Sequence, residues 1–159
     1  MSQEAEFVLT PGGHAKLEKR LDHLRNVLRP AVSERLRDSK QFGDLTENAE
    51  YEDAKQEQAL IESQILDIRR VLQVARVIDA EDIPTDRIGI GSIVQMTNLD
   101  NDDEWEFTVV GSVEADPDND LISDESPIGE AIIDKKVGDT IYVQVPNGAV
   151  KYRIDSIRK

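Results

Sequence analysis

The sequence predicts an α+β fold in two parts: an N-terminal antiparallel α-helical coiled-coil hairpin, then a small, mostly antiparallel sheet with one short helix. Three observations predict it. Up to about residue 75 the apolar residues recur at spacings of three and four, the period of a helix face. Beyond residue 90 the spacing becomes two, the period of a strand. Between them DAEDIPTDRIGI (79–90) keeps neither period and holds Pro84, with Gly89 and Gly91 close by. The division expected is therefore a hairpin over 1–78, a linker over 79–90 and a sheet domain over 91–159.

The first helix opens at Thr10, a suitable N-cap, with Pro11 at the first helical position. Leu17, Leu21, Leu24 and Leu28 follow a 4-3-4 spacing. Pro30 interrupts the pattern, and Val32 and Leu36 continue it in a shifted phase, which predicts a kink rather than an end. The run stops at Gly43. In the second run Tyr51, Ala54, Gln58, Ile61, Ile65, Ile68, Leu72 and Ala75 keep 3-4 spacing throughout, with Gln58 the one polar position. Two such helices joined by a tight turn describe an antiparallel coiled coil. Each arm of roughly 30 residues spans about 45 Å at about 1.5 Å per residue, so the hairpin is expected to protrude.

Past the linker, GSIVQMTNL, EWEFTVVGS, DTIYVQV and AVKYRIDSI read as strands, the last two joined by the turn signal Pro146-Asn147-Gly148. Ser126 and Pro127 open a short helix running through Ile133, with serine as the cap. DPDND (116–120) reads as an acidic turn.

Composition narrows the chemistry. Aromatic residues are 4% of the chain, so one large core is not expected. Cysteine is absent, which removes disulfides, thiolate chemistry and Cys-ligated zinc. MSQEAEFVLT has neither the basic nor the apolar region of a signal peptide, and no apolar run approaches the roughly 20 residues of a membrane span. A cytoplasmic protein that does not engage membranes is expected. The net charge of −14 hides an asymmetry: residues 11–40 carry eight bases and four acids, while residues 81–159 carry seven bases and eighteen acids. Only the first helical run is basic, as a solvated face or as an electrostatic contact. No phosphate-binding loop, zinc-protease or nucleophile-elbow motif occurs, and His14 and His23 lie nine residues apart, which is not a helical ligand spacing. A nucleophilic enzyme in its own right is not expected.

One stretch remains. GDLTENAEYEDAK (43–55) puts five acids, Asp44, Glu47, Glu50, Glu52 and Asp53, at or just past a bend. Asp44-Leu45-Thr46-Glu47 has the spacing of a capping box, with Asp at N-cap and Glu at N3. That is sufficient reason for both residues. The same spacing also aims two carboxylates off a helix end, within reach of one cation. Mg²⁺ takes one or two protein carboxylates and completes its octahedron with waters and phosphates, so the tip alone is half a metal site.

GDLTENAEYEDAK resembles the coiled-coil tip of the bacterial Gre transcript-cleavage factors, whose motif is an acid, two residues, then Glu-Asn-Ala-Glu-Tyr. TPGGHAKL (10–17) is similar to that family's first-helix opening, and SPIGEAIIDKKVGDTIYVQVPNG (126–148) to its C-terminal signature in the GreA-like form. The resemblance spans nearly the whole chain. It implies an FKBP-like C-terminal domain that docks on RNA polymerase, here through Ser126, Pro127, Ile128 and Gly129. It implies a coiled coil entering the polymerase secondary channel, with Asp44 and Glu47 as the catalytic acids. These would share a Mg²⁺ with the polymerase, the isolated protein binding none, and stimulate hydrolysis of backtracked RNA. Asn48, Glu50 and Tyr51 would be tip contacts, with Tyr51 either packing in the coiled coil or stacking on RNA. Arg35, Arg37 and Lys40 would lie near the nascent RNA 3′ end. The chemistry would belong to the polymerase, the factor activating it. Two alternatives stay open: a Gre-like inhibitor of the same channel, and, in a different class, a coiled-coil chaperone or scaffold.

Overall fold

The computed structural model describes residues 7–40 and 45–159, and the side chains of all of these except 45–48. Contacts divide the described chain into two compact units, residues 14–75 and residues 7–13 with 76–159.

The first unit is a helical hairpin. Helix α1 (Pro11–His23) passes through a π-helical turn (Leu24–Leu28) into α2 (Arg29–Lys40), and α3 (Leu45–Val74) returns alongside. The expected distortion at Pro30 is thus a π turn just before the proline, not a break. Proline has no N–H for the α-helical bond and its ring crowds the preceding turn. The chain answers by widening that turn, and Arg29 N–H bonds to Leu24 O, five residues back. The wider turn also repairs the seam. At roughly 100° per residue Leu36 would sit about 100° away from the line of Leu17. One residue absorbed in the π turn removes about that angle and restores the line.

The seam is apolar. Leu24, Val32, Ala54, Ile61 and Ile65 are buried in one cluster, with Leu21, Leu28, Leu36 and Ile68 packed against it. Every position of the second-run pattern from Tyr51 to Ala75 is buried or half-buried, as the 3-4 spacing predicts. Among the described residues the flanks carry polar side-chain contacts between the arms, two of them ion pairs. Arg29 donates to both oxygens of Glu62, at 2.7 and 2.9 Å, which raises the guanidinium pKa through the hydrogen bond and then through the charge. Arg35 donates to Glu57 and Arg20 to Gln64.

The second unit is a curled sheet with one helix. Its strands are β3 (Ile93–Asn98), β4 (Glu104–Val110), β5 (Leu121–Ser123), β6 (Thr140–Val145) and β7 (Gly148–Arg158), in the order β5-β4-β3-β7-β6. All neighbours are antiparallel except β4 and β5. Helix α4 (Pro127–Ile132) packs on the core formed by Val94, Met96, Phe107, Val109, Ile122, Ile132, Ile141, Val143 and Ile154. Ile88 is fully buried in this core although it lies in the stretch read as a linker. One isoleucine among polar residues, proline and glycine carries no period to announce it. A bulge sets Asp155 outside the β3–β7 register: Gln95 faces Ser156 and Met96 faces Ile154. Asp155 accepts from Thr97 Oγ1 and, at 2.8 Å, from Arg153 Nε. The Thr97 bond is the main cause of a carboxyl pKa below its ordinary value, with burial opposing and Arg153 assisting. A separate parallel pair, β1 (Val8–Leu9) with β2 (Arg76–Val77), was not legible in the sequence. The mixed α+β architecture, helical hairpin then sheet, is the one the periodicities predict.

Candidate functional site

At the bend of the hairpin Asp44 lies outside the described residues. Helix α3 begins at Leu45, so Glu47 is its third residue and Asn48 its fourth; their side chains are not described. This is the N3 place that the capping-box spacing assigns to Glu47. A helix N-terminus carries a partial positive charge and unsatisfied N–H groups, which favour carboxylates there. Glu50, one turn on, is exposed. Tyr51 is half-buried, and the ammonium groups of Lys40 and Lys55 lie 5.9 and 5.5 Å from its ring centroid. Its ring is held by two cations, and it stands outside the hairpin's apolar cluster.

The three basic residues differ. Arg35 pairs with Glu57, Lys40 lies over Tyr51, and Arg37 is exposed. Among the described residues no group of three or more His, Cys, Asp or Glu could hold a metal ion. Asp44 and Glu47 offer the hard oxygen donors that Mg²⁺ takes, in the small number for which waters and a partner's phosphates make up the rest.

In the sheet unit, Ser126 caps α4: its Oγ accepts from Gly129 N–H at 3.0 Å and donates to Ser123 O at 2.6 Å. Pro127 is exposed and Ile128 half-buried. Gly129 is buried, and a Cβ on it would come 2.0 Å from Ser123 O, so this residue is a close-approach glycine with no side chain to present. Pro127 and Ile128 line an apolar groove of about 440 Å³ together with Pro117, Ile122, Val145 and Pro146. Sequence reasoning missed this second set. Pro117 sits in the acidic turn and Pro146 in the hairpin turn, and only the fold brings both beside α4.

The chain matches two family descriptions, one in each half: "Transcription elongation factor, N-terminal" over residues 7–77 and "Transcription elongation factor, GreA/GreB, C-term" over residues 83–159. It is 45% identical over 159 residues to transcription elongation factor GreA of Clostridium kluyveri, covering 100% of both chains. It is 47% identical to that of Acetivibrio thermocellus over the same span and coverage. To that of Thermoanaerobacter pseudethanolicus it is 49% identical over 152 residues, covering 96% of this chain and 97% of the other. Among solved structures, GreA factor homolog 1 of Thermus thermophilus is 28% identical over 97% of this chain and 99% of its own, with a TM-score of 0.46, too loose to add to the assignment. No described helix is long and apolar enough to cross a membrane. On the two matched halves and the full-length relatives, the chain belongs to the GreA/GreB family of transcription elongation factors.

Proposed function

We propose that this protein binds RNA polymerase, inserts its hairpin into the secondary channel and stimulates the polymerase's own cleavage of backtracked RNA, so rescuing arrested complexes. What carries the reading is the tip: an acid-x-x-Glu-Asn-Ala-Glu-Tyr motif (44–51) whose Glu47 falls in the first turn of α3, at the far end of a hairpin from its own root. Asp44 and Glu47 would hold Mg²⁺ jointly with the polymerase, where the bound ion would neutralise charge at the scissile phosphate and favour hydroxide as the attacking group. The two side chains bring negative charge that the helix N-terminus supports. Tyr51, with the ammonium groups of Lys40 and Lys55 against its ring, would be a contact at the tip. Arg37, exposed on α2, gives a screened attraction to phosphate at the nascent RNA 3′ end. The groove beside α4, with Pro127 and Ile128 on its wall, is the apolar surface by which the C-terminal unit would dock. The protein is then an activator and not an enzyme by itself.

The experiment is direct. A purified backtracked elongation complex with 3′-labelled RNA is incubated with and without the protein in Mg²⁺ buffer. Rapid release of a short 3′ fragment supports the reading. Release no faster than the polymerase alone excludes it.

A further inference from the structure

Thr10, the first residue of the TPGG stretch, is gripped twice by Glu114. Its N–H donates to Glu114 Oε2 at 2.8 Å and its hydroxyl to Oε1 at 2.6 Å, while the hydroxyl oxygen also caps α1 by accepting from Gly13 N–H at 3.0 Å. The carboxylate comes from a 3₁₀ turn (Ser112–Glu114) that follows β4. The space for it is made by glycine. A Cβ on Gly13 would lie 1.8 Å from Glu114 Oε1, whereas one on Gly12 would meet nothing within 4 Å. Gly111, just before the turn, lets the Val8 carbonyl approach, since a Cβ there would come 2.5 Å from Val8 O. On the other side, Arg76 N–H donates to Phe7 O and Ile78 N–H to Leu9 O. The strand leading into α1 is thus tied to the strand leaving α3, and Glu114 ties the first turn of α1 to the end of β4. A side chain 104 residues away from its partner in sequence accepts the N-cap N–H, the part a residue three places on plays in a capping box.

We propose that Glu114 is a positioning residue: by holding Thr10 and the first turn of α1 it fixes the root of the hairpin, and cleavage stimulation depends on that fixed root while docking on polymerase does not. The role rests on the function proposed above. A tip that must deliver two carboxylates to a reacting phosphate is sensitive to its root, because a small angular freedom there becomes a displacement of several ångströms after about 30 residues of helix. Misplacement by about 1 Å can cost as much as 100-fold in rate. The two glycines separate this from a mere stability effect. Gly12→Ala and Gly13→Ala both gain helix propensity, but only Gly13→Ala pushes the Glu114 carboxylate off Thr10.

The test compares Glu114→Ala, Gly13→Ala, Gly12→Ala and Thr10→Ser in the full chain. The natural sequence has no cysteine, so spin labels on Glu34→Cys and Lys136→Cys report one distance distribution per variant. Glu114→Ala and Gly13→Ala are expected to broaden it, and to lower the maximal cleavage rate about tenfold with the half-saturating concentration unchanged. Gly12→Ala, and Thr10→Ser, which keeps both hydrogen-bonding functions, should behave as the parent in both readouts. An unchanged distribution in Glu114→Ala and Gly13→Ala overturns the proposal, as does a broadened one with an undiminished rate. A loss that falls entirely on half-saturation also overturns it, because docking is then what Glu114 supports. If the parent itself stimulates no cleavage, the functional reading fails and this role with it, while the distances still show whether Glu114 holds the root.

Discussion

Arg35 on α2 donates to Glu57 on α3, so a residue suited by charge to meet RNA is already engaged in joining the two arms of the hairpin. Both side chains are substantially exposed, at 53% and 44%, and pairs of this kind contribute about 0.2–1 kcal/mol. Arg35→Ala and Glu57→Gln should therefore lower the melting temperature by similar small amounts, with the double variant scarcely lower than either. Arg37→Ala should instead leave melting nearly unchanged and weaken stimulation at low salt, the defect shrinking as ionic strength rises. Lys40→Ala, which also gives up the contact with the Tyr51 ring, should add a small loss of melting temperature. If Arg35→Ala depresses stimulation and Glu57→Gln does not, Arg35 acts on RNA directly.

Gly129 gives a second separation. With Ser123 O only 2.0 Å from where a Cβ would stand, and backbone unable to swing aside as a side chain can, Gly129→Ala should destabilise the sheet unit by about 1–3 kcal/mol. Urea unfolding measures it. Ile128→Ser, on the groove wall, should cost affinity for polymerase more than stability. A Gly129→Ala protein that unfolds like the parent yet fails to bind would make the glycine itself a contact.

Asp155 sets a pH dependence. Its folded pKa lies below the ordinary 3.8, chiefly because Thr97 donates to it. The stability it contributes is complete above that ordinary value and is lost as the pH falls through the lower folded one. Asp155→Asn should melt below the parent near neutral pH, and the gap should close on acidification below about pH 4. A gap that stays constant would mean that the bulge geometry, not the charge, is what the residue supplies.

How much of this was legible in the sequence follows from the range of each interaction. The α3 face from Tyr51 to Ala75 and the strands β3, β4, β6 and β7 were readable because burial imposes a period on neighbouring residues. The caps at Thr10 and Ser126 were readable because capping is local, and both hydroxyls do accept the N–H three residues on. What was not readable is non-local or too short to show a period. Strands β1, β2 and β5 are two or three residues long. Glu114 reaches Thr10 only through the fold. The π turn left a trace, the phase shift after Pro30, but not its position over Leu24–Leu28. Gly129 was assigned to docking by resemblance, and its burial under Ser123 shows a packing duty. The start of α3 at Leu45 was legible from the capping-box spacing, while Asp44 lies outside the described residues.

The central claim is that Asp44 and Glu47 serve cleavage and not only the helix start. Asp44→Asn tests it most directly, because asparagine caps a helix about as well as aspartate but brings no charge to Mg²⁺. In a purified backtracked elongation complex the Asp44→Asn protein should melt and compete for polymerase like the parent while losing most of its stimulation, with partial recovery at raised Mg²⁺. Glu47→Gln, which can still close the box, should do the same. Cleavage by Asp44→Asn at the parental rate would contradict the claim and leave the acidic bend as helix punctuation.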